Sequence, residues 1–147
     1  MAQALPLLVA LIAGLAMAVQ AATNGFLGRT TGSGLVASLI NFGVGLLALV
    51  AAVLILRPRV HPGWVEAAPW WAWLGGVYGA VIVFAGAWST PRLGVGTAMV
   101  LTVAALVTAG VLLDHFGAFG LRIHPVSGLR AAGVLLVVAG ALMVQRG

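Results

Sequence analysis

The chain has 147 residues, of which 63% are hydrophobic and only 6% are charged, whereas an average globular chain has about 25% charged residues. Two acidic residues and seven arginines, with no lysine, cannot cover the surface of a water-soluble domain of this length. We therefore expect lipid to surround most of the chain. The composition also excludes intrinsic disorder, which requires low hydrophobicity, and the lack of cysteine excludes a disulfide scaffold.

Five long apolar segments follow one another along the chain. A bilayer hydrocarbon core is about 30 Å thick and needs roughly 20 apolar residues per helix, and the five segments, bounded by Gly, Pro and Arg, have this length. They predict an all-α integral membrane protein with a single five-helix transmembrane domain, and the spans are expected at residues 4–23, 35–56, 70–88, 93–113 and 128–145. Arg130 lies just inside the last span, from which its side chain can reach the interface.

The connections between these spans are short. Residues 23–34 and 89–92 are predicted to lie on one face of the membrane, and residues 57–69 and 114–127 on the other. Residues 16–18 (Ala-Met-Ala) resemble a signal-peptide cleavage site, but no Lys or Arg precedes Arg29, so we expect the first helix to be retained. Any function must then be sought within the helices or at their ends.

The arginines leave the orientation of the chain almost undecided. The face of the N-terminus is predicted to carry Arg57, Arg59, Arg122 and Arg130, and the opposite face to carry Arg29, Arg92 and Arg146. The positive-inside rule therefore favours a cytoplasmic N-terminus only weakly, and it also permits insertion in both orientations. The seven arginines are spread singly along the chain and form no basic patch with interleaved aromatic residues, so nucleic acid is not an expected partner.

A few amide side chains lie within the predicted spans, where a polar group is costly unless it is satisfied. Gln20 and Asn24 are four residues apart and share a face at the end of the first helix, and Asn41 shares a face of the second helix with Ser38. These amides either line a cavity for a small polar or cationic substrate or join helices to one another.

The third span contains tryptophans at its start and a tyrosine further in. Trp70, Trp71 and Trp73 are typical of interfacial anchors. Tyr78 lies seven residues after Trp71 and on nearly the same face of an α-helix, so these two rings could form the walls of an aromatic cavity, a surface that favours organic cations. The alternative, which we favour for the tyrosine, is a packed ring bonded to a neighbouring helix.

Small residues recur at the spacing of helix contacts, most clearly at Gly75 and Gly79, which form a GxxxG motif and are expected to pack against another helix. At the ends of the spans, Arg29 and the adjacent Asp114 and His115 are candidate residues at a cavity mouth. For Asp114 and His115 an ordinary helix end is the favoured alternative.

No sequence pattern supports catalysis or a cofactor. No Asp, Glu, Lys or His lies in the middle of a predicted span, so a proton relay of the usual kind is not expected. The histidines lack the spacing of metal ligands, and there is no phosphate-binding loop or nucleophile motif. We expect neither an enzyme nor a metal site.

Several sequence runs together resemble one family. The runs are NGFLGR followed by GSG at 24–34, ASLINFGVGLLAL at 37–49, APWWAWLGGVYGA at 68–80, PRLGVGTA at 91–98 and LLDHFGAFG at 112–120. In this combination they resemble the YdcZ-like branch of the drug/metabolite transporter superfamily, which consists of bacterial inner-membrane proteins, and the resemblance covers nearly the whole chain.

This resemblance implies a half-transporter. Ten-helix relatives of the EamA-like type contain two five-helix halves in inverted orientation, and the four-helix multidrug branch acts as antiparallel dimers. By the resemblance, this chain is one half, completed by a second copy or by a paralogue of opposite orientation, and nearly balanced arginines fit that arrangement. The chain departs from its relatives at Ala105 and Leu106, where the family has Gly-Gln, and in its first helix, where the multidrug branch has a glutamate.

Together the residues and the resemblance predict a transporter subunit of the bacterial inner membrane. It would move a small organic solute or cation by alternating access, with Gln20, Asn24, Asn41, Trp71 and Tyr78 as substrate-lining residues and with no cofactor. The alternative is a nontransporting membrane subunit that packs against a larger complex.

Overall fold

The computed structural model describes residues 4–147. Within this range the chain forms six α-helices and two 3₁₀ segments, at Trp70–Leu74 and Ala118–Gly120. The α-helices are α1 (Ala4–Thr31), α2 (Gly34–Leu56), α3 (Trp64–Ala67), α4 (Gly75–Leu93), α5 (Val95–Phe116) and α6 (Gly128–Arg146). No β-strand occurs among the described residues.

The prediction of five membrane spans is confirmed. Within residues 4–147, five helical segments are long and apolar enough to cross a bilayer, and they are α1, α2, Trp70–Leu93, α5 and α6. The remaining helix, α3, has four residues and belongs to the connection between α2 and α4.

Two helices continue through segments that the sequence analysis assigned to connections. Helix α1 ends at Thr31 instead of residue 23, and the hydroxyls of Thr30 and Thr31 donate hydrogen bonds to carbonyls one turn earlier in the same helix. It stops at Gly32, whose φ of 71° is left-handed. Helix α4 continues through Pro91 to Leu93, which leaves Gly94 as the whole connection to α5. Proline removes one hydrogen-bond donor but does not force a helix in a membrane to end.

Two further differences from the expected spans are smaller. The third span begins at Trp70, as predicted, but with the 3₁₀ segment Trp70–Leu74, and it becomes α-helical only at Gly75. Helix α5 begins at Val95 and ends at Phe116, so Asp114 and His115 lie in its last turn and not in the following loop.

The described chain divides into two compact units, one up to Arg92 and the other from Leu93 onward. The buried apolar residues are alanines in both: Ala21, Ala37 and Ala87 in the first unit and Ala98, Ala104 and Ala141 in the second. Leucine, isoleucine and valine side chains point outward in large numbers. Small residues inside and large apolar residues outside are typical of helices that pack closely in lipid.

Candidate functional site

A polar seam lies between α1 and α2 in the first unit. The Nε2 atom of Gln20 lies 3.5 Å from Oδ1 of Asn41, at the long limit of a hydrogen bond. Asn41 lies seven residues after the start of α2, so this contact is about 10 Å along the helix from its first residue. The structure therefore brings together two of the amides that the sequence singled out, although they belong to different predicted pairs.

Asn24 lies one turn further along α1 and is only 4% exposed. Helices α1 and α2 run in opposite directions, joined by the turn at Gly32 and Ser33, so Asn24 falls at the level of Ala37 and Ser38. Ser38 is also buried, but its hydroxyl is satisfied because it donates to the carbonyl of Gly34 at 2.7 Å. Asn24 thus places a polar amide among the buried residues of the first unit.

Helix α4 packs against the same part of α1 through glycines. A side chain at Gly25 would place its Cβ atom 3.1 Å from Cγ2 of Thr90, and one at Gly28 would place it 2.9 Å from the carbonyl oxygen of Ala87. The second contact involves a carbonyl that cannot bond to residue 91, because Pro91 has no N–H group. Glycine at these positions lets the backbones of α1 and α4 approach closely.

Thr90 has a buried hydroxyl without a partner. The residue is 5% exposed, and its Oγ1 has no hydrogen-bond partner among the described residues. Thr102 and Thr108 of α5, in contrast, each donate to the carbonyl one turn earlier. Thr90 was not predicted, because residues 89–92, which include Pro91, were expected to form a connection between helices.

A cationic cavity lies where the end of α1, the start of α2 and the end of α4 meet. It has a volume of about 620 Å³, and two arginines, Arg29 and Arg92, and no acidic residue contribute to its lining. Arg92 lies over the ring of Trp88, with Cζ 4.0 Å from the ring centroid, and donates a hydrogen bond to the Trp88 carbonyl. Arg29, predicted as a mouth residue, therefore lines a cavity together with an arginine that the sequence analysis did not select.

An apolar groove adjoins this cavity. It has a volume of about 510 Å³ and extends along α2 from Leu35 to Phe42, facing Ala80 and Phe84 of α4. Leu35 and Phe84 line both the groove and the cationic cavity. The two spaces are therefore adjacent along the α2 and α4 side of the first unit.

The predicted aromatic pair is not brought together in either space. Tyr78 is 59% exposed, and neither it nor Trp71 lines the cationic cavity or the apolar groove. The 3₁₀ segment Trp70–Leu74 explains the difference, because tighter winding rotates Trp71 and Tyr78 to roughly 60° apart, not the 20° of a continuous α-helix. The ring of Trp73 instead lies 5.6 Å from that of Trp64 in α3.

The predicted GxxxG motif makes one close contact. A Cβ atom at Gly79 would lie 3.4 Å from Cζ of Phe42 in α2. A Cβ atom at Gly75 would have no neighbouring atom within 4 Å. Gly79 therefore fits the role of a packing residue between α2 and α4, and Gly75 has no close neighbour of this kind.

Asp114 and His115 participate in the connection between α5 and α6. Oδ2 of Asp114 accepts a hydrogen bond from Nη2 of Arg130 at 2.6 Å, and Nδ1 of His115 accepts one from the backbone N–H of Val126 at 3.2 Å. Arg130 also donates to the carbonyl of His124. Arg130, which was expected to reach toward the interface, thus pairs with the end of α5 and with the connection that follows it.

No cluster of potential metal ligands occurs among residues 4–147. The candidate site is instead formed by the polar seam with Gln20, Asn24 and Asn41, the buried Thr90 and the cationic cavity, all in the first unit. Its arrangement suits the binding of a solute by hydrogen bonds and charge.

Comparisons with known proteins agree with the resemblance seen in the sequence. The family described as "Putative inner membrane exporter, YdcZ" matches residues 5–143. The chain is 28% identical over 147 residues to the "Inner membrane protein YdcZ" of Escherichia coli strain K12, and this match covers 99% of each protein. No solved structure matches the chain. With its five membrane-spanning helices, the chain is an inner-membrane protein that belongs to the YdcZ family of exporters.

Proposed function

We propose that this chain is one half of a transporter that moves a small organic solute across the inner membrane, and that the seam between α1 and α2 is part of its binding site. The observation that carries the proposal is the placement of three amides, Gln20, Asn24 and Asn41, inside membrane-spanning helices. Amides so placed stabilise a structure only when another group or water satisfies them.

The seam is not fully satisfied by the described residues. Gln20 is exposed and makes one long hydrogen bond, although its amide offers two donors and two acceptor lone pairs. At this depth the remaining hydrogen-bonding capacity needs water, a solute or a further helix. A second half rocking against this one would expose such groups alternately to the two sides of the membrane.

The distribution of arginine supports completion by an oppositely oriented half. In the first unit Arg29 and Arg92 lie near the start of α2, whereas Arg57 caps its end and Arg59 follows. Two positive charges at each end give almost no preference for either orientation under the positive-inside rule. An antiparallel homodimer and a pair with an oppositely biased paralogue both fit this balance.

Transport is tested with matched amide variants. A thermal-shift screen of the purified protein against metabolites and organic cations identifies a stabilising compound, since binding to the folded state raises its stability. Flux of that compound into proteoliposomes is then measured for Gln20→Leu and Asn24→Leu, with Gln145→Leu at the end of α6 as the control. We expect a loss of at least tenfold in flux for the seam variants alone. Reduced stability with unchanged flux would instead support the nontransporting subunit.

Orientation is tested with single cysteines, because the chain has no native cysteine. Ser33 and Ser127 are unsuitable positions since each caps a helix through its hydroxyl, so we choose His61 in the connection after α2 and Gln145 near the end of α6. An impermeant maleimide should label about half of each population if the chain inserts both ways, because balanced flanking charge favours neither orientation. Full labelling at one position and none at the other, with no paralogue present, would refute the antiparallel homodimer.

A further inference from the structure

The cationic cavity and the apolar groove together have the shape and chemistry of a site for an amphiphile with a negatively charged head. We infer that they bind one anionic phospholipid, with its phosphate in the cavity and one acyl chain in the groove. This inference concerns the first unit alone and does not depend on the proposed transport.

The positive charge in the cavity has no acidic counterpart in its lining. The chain has two acidic residues: Asp114 pairs with Arg130 in the second unit, and Glu66 lies in α3. The first-turn N–H groups of α2 lack carbonyl partners within their own helix and add partial positive charge beside Arg29 and Arg92. The carbonyl ends of α1 and α4 carry partial negative charge at the same place and offset the charge of these N–H groups. The two guanidinium groups therefore determine the sign of the field.

One guanidinium is held in position before any ligand binds. Arg92 is fixed by the ring of Trp88 and by its hydrogen bond to the Trp88 carbonyl. A guanidinium has five N–H donors, and one is used in that bond. The others remain for phosphate oxygens, which match the planar fork of arginine well.

The location of the cavity agrees with the headgroup region. Helix α1 has 28 residues and is about 42 Å long, whereas the hydrocarbon core is about 30 Å thick. Its last turn, which contains Arg29, therefore extends toward the headgroups. Trp88 is 51% exposed beside Arg92, as is typical of a tryptophan at the membrane interface.

The groove distinguishes a lipid from a free anion. It begins beside the cavity, with which it shares the lining residues Leu35 and Phe84, and runs to Phe42, about 10 Å along α2 toward the membrane centre. A small phosphate would leave this apolar space unfilled, whereas an acyl chain attached to the bound phosphate would occupy it.

The charge of the site is tested by native mass spectrometry of the detergent-solubilised protein. Phosphatidylglycerol and phosphatidylcholine with identical acyl chains are titrated separately, and phosphatidylglycerol should bind more tightly. Arg29→Gln should weaken its binding roughly fivefold, and the double variant with Arg92→Gln roughly thirtyfold. Each factor corresponds to the loss of about 1 kcal/mol, the interaction of one arginine with an anionic lipid near the membrane surface. Arg59→Gln, in the connection after α2, is the control and should change affinity less than twofold. Equal affinity for both lipids, or an equal loss with Arg59→Gln, would overturn the inference.

The chain-binding part is tested with a variant that fills the groove. Ala80→Trp should weaken phosphatidylglycerol binding, whereas Val81→Trp at the neighbouring exposed position should not. Glycerol 1-phosphate, which has the headgroup chemistry without acyl chains, should bind far more weakly than the lipid. If it binds as tightly as the lipid, or if Ala80→Trp changes nothing, the groove does not hold an acyl chain. Thermal unfolding of each variant confirms that it is folded.

Discussion

Replacing Gly28 by alanine should weaken the packing of α1 against α4. The added Cβ atom would lie 2.9 Å from the carbonyl oxygen of Ala87, although carbon and oxygen atoms in such contacts are normally about 3.3–3.6 Å apart. The obstacle is backbone and not a flexible side chain, so the two helices must move apart by about half an ångström.

The size of the effect follows from two opposing terms. Overpacking of this kind costs about 1–3 kcal/mol, while alanine is more favourable than glycine within a helix by up to about 1 kcal/mol. Gly14 lies in the same helix and has no atom within 4 Å of a Cβ atom built on it. Gly14→Ala therefore changes stability only through the helix propensity of alanine. The free energies of unfolding of the two variants should differ by the cost of overpacking, about 1–3 kcal/mol.

Equilibrium unfolding of the purified protein in mixed micelles measures this difference, with helix content followed by circular dichroism. We expect Gly14→Ala to be neutral or slightly stabilising and Gly28→Ala to be destabilising relative to it. If the two variants have the same free energy of unfolding, then α1 and α4 do not approach closely at Gly28.

Three further experiments test other parts of the structure by the same unfolding measurement. Thr90→Val should be neutral or stabilising by about 1 kcal/mol, because it removes a buried hydroxyl that lacks a partner; a clear loss of stability would show that the hydroxyl is bonded. A double-mutant cycle with Asp114→Asn and Arg130→Gln should give a coupling energy of about 0.2–1 kcal/mol, since the two side chains are 33% and 36% exposed; zero coupling would show that this ion pair does not stabilise the fold. Ser127→Ala should cost about 1 kcal/mol through loss of the cap on α6, and an unchanged stability would refute that cap.

The candidate site was predictable only in part. The amides of Gln20, Asn24 and Asn41 were identifiable because polar groups are rare in apolar segments. Thr90 was not, because Pro91 suggested a turn, whereas α4 continues through this proline to Leu93. Trp71 and Tyr78 line neither the cationic cavity nor the apolar groove, and their pairing, which assumed an α-helix where the chain forms a 3₁₀ segment, stays a prediction.

The sequence by itself determined that the chain crosses a membrane five times, because a charged fraction of 6% and apolar runs of about 20 residues allow no other solvent. It also determined the family, through motifs distributed over the whole chain. Only the tertiary structure decided which groups meet: Gln20 with Asn41, Gly28 with Ala87, and Arg29 with Arg92 around one cavity. The physical reason is that hydropathy depends on composition along one helix, whereas these contacts depend on where helices end and on how closely their backbones approach.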